Sequence, residues 1–235
     1  MNIRLICALM LFNFWSAASD FTNICPQEAP QNNELIQSKS TQGNFKVSII
    51  SREIAENIFN SVSQMEKIPY KYTIDGCDVR AYLAAKEIYE KSNIKSFRIN
   101  VESYPGLITQ TTYTAEGWVE FGRHSVMALC VYNQDTKRVD PLIVDAAFFN
   151  ELITPEKWLL KLKDGMTTRT EISYTSMYKL NPNSTTLFNR FTRSDLRCAE
   201  EVRERFMREQ KRIENGHLPY GVGRAKEVIR MDLCQ

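Results

Sequence analysis

The chain of 235 residues has two histidines, His124 and His217, and neither a Cys-x-x-Cys nor a His-Glu-x-x-His spacing. No ligand set with a recognised metal-binding pattern exists, and no cofactor is expected. Glycine is sparse, at nine residues. The pair in Gly221-Val222-Gly223-Arg224 follows a helical stretch rather than a strand, which excludes a phosphate-cradling loop. No excess charge is present either, with 30 basic against 28 acidic residues. Nucleic-acid binding needs a strongly basic face, so nucleic acid is not an expected partner. Beyond the N-terminus no apolar run approaches the roughly 20 residues of a membrane span, and no membrane anchor is expected.

What is present begins with a leader. Met1-Asn2-Ile3-Arg4 precedes an apolar stretch from Leu5 to Trp15 and the small residues Ser16-Ala17-Ala18-Ser19. This is the layout of a secretory signal peptide over residues 1–19, so the mature protein is expected to be soluble and exported, periplasmic or extracellular. Five of six cysteines remain after the leader: Cys25, Cys77, Cys130, Cys198 and Cys234. An odd number in an exported chain points to a free, reactive thiol. If that thiol is Cys77, the others can form up to two disulfides. A Cys198–Cys234 pair would clamp the tail to a helix, while Cys130 could instead be a buried thiol in an apolar strand.

The polar stretch 20–44, with Pro26, Pro30 and Gln31-Asn32-Asn33, predicts a poorly ordered arm or short pro-segment. Ile54, Ile58, Phe59 and Val62 repeat at helical spacing after a cap at Ser51. A second helix runs from Cys77 to about Ser92, with Val79, Leu83, Ala84 and Ile88 on one face. Strand-like alternation follows at 97–101, 117–121, 124–132 and 142–144, with another strand at 174–180. Thr154-Pro155 opens a short capped helix, and a long helix covers about Ser194 to Asn215. The residues thus predict an α+β fold, a helix followed by an antiparallel sheet, with 45–190 as the main domain and 191–235 packed on it.

Cys77 occupies the start of its helix, where free N–H groups and the helix dipole stabilise a thiolate. His124 opens the apolar strand and Asp145 ends the next one, so the two lie at the outer ends of a hairpin whose turn is Gln134-Asp135-Thr136-Lys137-Arg138. Nucleophile, base and orienting acid in that order make Cys77, His124 and Asp145 the candidate catalytic residues. The same residues have plainer readings: Cys77 as a structural thiol, Asp145 as a turn cap. His217 sits in a predicted loop and is not read as catalytic. Asp78 places a negative charge beside the thiolate, which Arg80 or another cation must offset. Glu120 is a further group able to tune His124.

At these residues the chain resembles the protein-glutaminase family, which deamidates glutamine side chains within proteins on a transglutaminase-like (papain-like) core. The resemblance rests on Ile74-Asp75-Gly76-Cys77 with Arg80-Ala81, on Trp118 ahead of His124-Ser125-Val126, on Val144-Asp145 before Ala146-Ala147-Phe148-Phe149, and on Tyr174 through Tyr178. It implies attack by Cys77 on a side-chain carboxamide, proton transfer through His124, no cofactor, and a protein partner presenting exposed glutamine, with the enzyme acting as a monomer. Trp118, Gly76 and Asp78 are the implied substrate contacts. Asp78 departs from the family's aromatic residue after the nucleophile, and the arm is shorter than the family's pro-domain. The same chemistry leaves transglutamination and peptide cleavage open, and a non-catalytic binding module is the reading from a different class.

Overall fold

The computed structural model describes residues 21, 24–26, 36–38, 45–73, 75–111, 117–163, 169–181 and 189–217. Its elements in chain order are β1 (Ile36–Ser38), β2 (Phe45–Val47), β3 (Ile49–Ser51), α1 (Arg52–Ser63), α2 (Cys77–Ser92), β4 (Phe97–Gln110), β5 (Trp118–Asn133), β6 (Arg138–Val144), α3 (Pro155–Lys163), β7 (Arg169–Ser176) and α4 (Arg193–Glu214). β4 pairs antiparallel with both β5 and β7, β6 pairs antiparallel with β5, and short β3 joins β5 in parallel. β1 and β2 form a separate antiparallel pair.

β5 organises the molecule. From His124 to Val131 every residue is buried, which an apolar run achieves only when both faces of its strand are covered. Met127, Leu129 and Val131 pack with α1, α2 and α4 through residues such as Phe59, Leu83 and Phe206. Val126, Ala128 and Cys130 pack on the other face with Phe97, Ile99, Trp158 and Leu162. Met127 and Ala128 are paired on both edges, with β4 on one side and β6 on the other. Before Met127 the β6 edge of β5 is open, and that gap holds the site described below.

The helices start where their caps place them. Ser51 Oγ accepts from the Ile54 amide at 3.3 Å, and Thr192 Oγ1 from the Asp195 amide at 3.0 Å. Pro155 is the first residue of α3, behind a Thr154 cap. On α1 the buried stripe is Ala55, Ile58, Phe59 and Val62. Ile54, expected on that face, is exposed because it lies one position off the stripe. α2 spans the expected residues and ends at Asn93, whose φ of 56° is the left-handed conformation of a helix C-terminus.

Three expectations change. The two strands at 117–121 and 124–132 are one strand, β5; the irregularity lies in β4, where the register slips between Glu102 and Leu107 opposite Gly122. The strand expected at 174–180 ends at Ser176, because Ser176 Oγ and its carbonyl accept from the Tyr178 and Lys179 amides and turn the chain. The arm is anchored where it is described: Phe21, Ile24 and Cys25 are buried in the second core cluster, and Cys25 is bonded to Cys130. Cys130 is therefore not a free thiol. Cys198 is also disulfide-bonded, and its expected partner Cys234 lies outside the described residues, as does Gly221 to Arg224.

The Cys25–Cys130 bond closes a sequence separation of 105 residues. Replacing both cysteines by alanine should lower stability by about 2–4 kcal/mol, read as an earlier urea midpoint. An unchanged midpoint would mean that burial of Phe21 and Ile24 alone holds the arm.

Candidate functional site

Cys77 is the first residue of α2 and is free. The turn before it is fixed from behind. Gly76 has φ 79°, which favours glycine, and a Cβ there would stand 2.1 Å from the Phe206 ring of α4. Arg80, one turn along, donates from one guanidinium nitrogen to the Tyr72 and Asp75 carbonyls, each at 2.6 Å. The Asp75 carboxylate accepts from the Gly76 amide at 2.6 Å, and burial pushes its carboxyl above the ordinary value. Gly76 has no side chain with which to cap the helix, so the first-turn amides around Cys77 carry no side-chain cap.

His124 and Asp145 meet in the gap beside β5. His124 Nε2 lies 2.9 Å from Asp145 Oδ2, both side chains being 3% exposed. With Nε2 so engaged, Nδ1 is the nitrogen left to face Cys77, which lies close enough to act electrostatically on the imidazole. Burial alone would hold the ring neutral. Asp145, through its charge and hydrogen bond, and then Cys77 overcome burial and raise the group from its ordinary 6.5 to about 9. The imidazole is thus a cation at neutral pH. It is boxed by Phe121, Phe148 and Trp158, with ring centroids 4.9, 5.3 and 5.8 Å away.

Asp78 is buried, and both its oxygens are taken. Arg98, fully buried on β4, binds Oδ1, and Arg123 on β5 binds Oδ2 at 2.7 Å. Arg98 continues the network to Ser125 Oγ at 2.6 Å and to the Lys179 and Leu180 carbonyls, and Ser125 Oγ donates to Asn100 Oδ1 at 2.6 Å. The cations answering Asp78 are therefore Arg98 and Arg123; Arg80 serves the backbone instead. The expectation that Asp78 contacts substrate gives way to this inward ion triad. Glu120 is exposed on β5 opposite Ile108, and the groups that raise His124 are Asp145 and Cys77.

The structure thus brings Cys77, His124 and Asp145 together. Trp118 stands apart, exposed at the start of β5 opposite Gln110 and about 20 Å along the strand from His124. His217 is exposed at the end of α4. The residue that sequence reading missed is Trp158, whose Nε1 donates to Asp145 Oδ2 at 3.1 Å. Its signal was an indole on a short helix just beyond the acid, a donor that needs a partner when buried. A cleft of about 850 Å³ lies elsewhere, at the far end of β5 between the starts of α1 and α3, lined by Arg52, Asn133, Arg138 and Thr154 among others. None of the three grouped residues lines it. Among the described residues there is no cluster able to hold a metal ion and no helix long and apolar enough to cross a membrane.

A helix that starts at a free cysteine, packed against a curled, mainly antiparallel sheet, defines a transglutaminase-like fold. Residues 55–162 match a family model described as glutaminase. A crystal structure of protein-glutaminase superposes with a TM-score of 0.54 at 14% identity, covering 68% of this chain and 88% of that one. The NMR structure of protein-glutaminase from Chryseobacterium proteolyticum gives 0.51 at 15% identity, over 63% and 85%. A crystal structure of pro-protein-glutaminase gives 0.55 at 16%, over 80% of this chain and 65% of that one. No relative was found among curated proteins. The family recognised from the motifs around Cys77, protein-glutaminase, is thus the one that the family match and the fold support.

The raised His124 has a consequence for stability. A group whose folded value lies above its unfolded one stabilises fully below the unfolded value, here near 6.5, and loses that contribution as pH rises through about 9. Thermal unfolding from neutral pH to beyond 9 should show a loss in the wild type that is absent in His124→Gln. Parallel curves for the two proteins would remove His124 as its source.

Proposed function

We propose that this chain is an exported cysteine amidohydrolase that converts protein-bound glutamine to glutamate. The observation that carries the reading is an imidazole held at Nε2 by Asp145, within electrostatic reach of a free cysteine on a helix N-terminus. The glutaminase match supports the substrate class. The Cys25–Cys130 disulfide and the leader support export, since such bonds persist in oxidising compartments.

In this mechanism the Cys77 thiolate attacks the side-chain carboxamide carbon, forming a C–S bond. The uncapped first-turn amides of α2 stabilise the oxyanion. The C–N bond breaks as His124 Nδ1 gives its proton to the departing nitrogen, which leaves as ammonia. Water then attacks the thioester, losing a proton to the now neutral imidazole, and release of the acid regenerates Cys77. Asp145 keeps the imidazole oriented and stabilises its charged form, and Trp158 fixes Asp145. The aromatic box of Phe121, Phe148 and Trp158 keeps water from the ring.

Ammonia release from a glutamine-rich protein, with mass spectrometry of that protein, tests the proposal. Wild type should give ammonia and +1 Da shifts at glutamine, and Cys77→Ala neither. Amine adducts would point to transglutamination, shortened peptides to proteolysis, and no change on any protein would sink the reading. Asp145→Asn should retain the fold and lose about two to four orders of magnitude in kcat. Near-normal turnover would remove Asp145 from the mechanism.

A further inference from the structure

The residue after the nucleophile carries a charge that a thiolate-bearing helix terminus should avoid, yet Asp78 is buried there. Its two arginines explain how it is tolerated, and they do more than neutralise it. Two guanidiniums converge on one carboxylate, so the triad keeps one positive charge in excess, in a region where water screens little. Both arginines lie within electrostatic reach of Cys77. Arg98 has no exposed surface, whereas the Arg123 side chain is 29% exposed and sits on the strand position before His124.

We propose that the Arg98–Asp78–Arg123 triad is a positioning device that places a net positive charge near Cys77 and so holds its sulfur as the thiolate partner of His124. Arg123 is the adjustable member, because Arg98 is committed to Asp78, Ser125 and two carbonyls. The other charged groups around Cys77 do not supply this excess. Asp75 and Arg80 face each other across the preceding turn, Glu102 lies on β4 directly opposite Arg123, and Asp145 answers His124. The inference rests on Cys77 as the nucleophile proposed above. It does not require glutamine to be the substrate.

The triad makes a prediction of sign that a merely structural network does not. Removing Arg123's charge should disfavour the thiolate, and removing Asp78's should favour it. The measurement is the rate of iodoacetamide alkylation of Cys77 in the full chain against pH, in which the sulfur displaces iodide. Arg123→Gln should move the acid limb to higher pH, with alkylation about tenfold slower there, because one pH unit is tenfold in thiolate. Arg123→Lys should stay within about twofold of wild type, since the charge is kept. Asp78→Asn should move the limb the opposite way. Superimposable profiles for wild type and Arg123→Gln, or shifts of the same sign in Arg123→Gln and Asp78→Asn, would overturn the proposal, whatever happens to the melting temperature. If Asp78→Asn fails to fold, the two Arg123 variants decide. Because alkylation needs no glutamine, a correct sign pattern with no ammonia release would sink the proposed substrate and leave this inference standing.

Discussion

The structure turns on one constraint: a helix N-terminus bearing a free cysteine packs against a sheet, and every charge buried with it must find a partner. A charged side chain removed from water without a partner costs several kcal/mol, more than most single contacts return. Arg80 meets this by binding two turn carbonyls, Asp78 by taking two guanidiniums, and His124 by pairing with Asp145. Each solution also positions the nucleophile or its partners. Arg80 shapes the turn into Cys77, and Asp145 selects the imidazole nitrogen that faces the sulfur.

β5 divides these tasks between its two faces. On the α2 side, β4 and β5 place Arg98, Asn100 and Ser125 next to one another through the pairs Arg98↔Met127 and Asn100↔Ser125, a polar stripe beneath the start of α2. On the other face, Val126, Ala128 and Cys130 join the apolar cluster around Trp158. His124 lies where that cluster ends and β6 has not yet begun. A buried polar stripe is acceptable only when nearly every donor and acceptor is met. Here the guanidinium's two terminal nitrogens share four acceptors, and Arg98 Nε is left without a partner.

Much of this was legible from sequence because it depends on local patterns. The cap at Ser51, the left-handed exit at Asn93 and the Pro155 start of α3 are chemical signals within a few residues, and they mark those helices well. Cys77, His124 and Asp145 stood out because a helix start and a hairpin predict where their residues lie. The misreadings came from pairing across the chain. Residues 122 and 123 fall between two expected strands, but they sit within one strand whose partner absorbs the irregularity. The arm looked polar and loose, yet Phe21, Ile24 and a disulfide to a residue 105 positions away anchor it. Arg98 was silent for the same reason, and Trp158 signalled only a donor in need of a partner: each acquires its role from the carboxylate folding brings to it.

The two charge clusters also answer each other. With Cys77 ionised, Asp145, His124 and Cys77 together carry one net negative charge in a water-poor pocket, a condition burial opposes. The Arg98–Asp78–Arg123 triad carries one net positive charge within electrostatic reach of the same sulfur. Together they leave the pocket neutral while keeping a separated thiolate and imidazolium inside it. That explains how an acidic residue can follow the nucleophile proposed here: the charge of Asp78 is more than offset by the two arginines it gathers, which would otherwise repel each other.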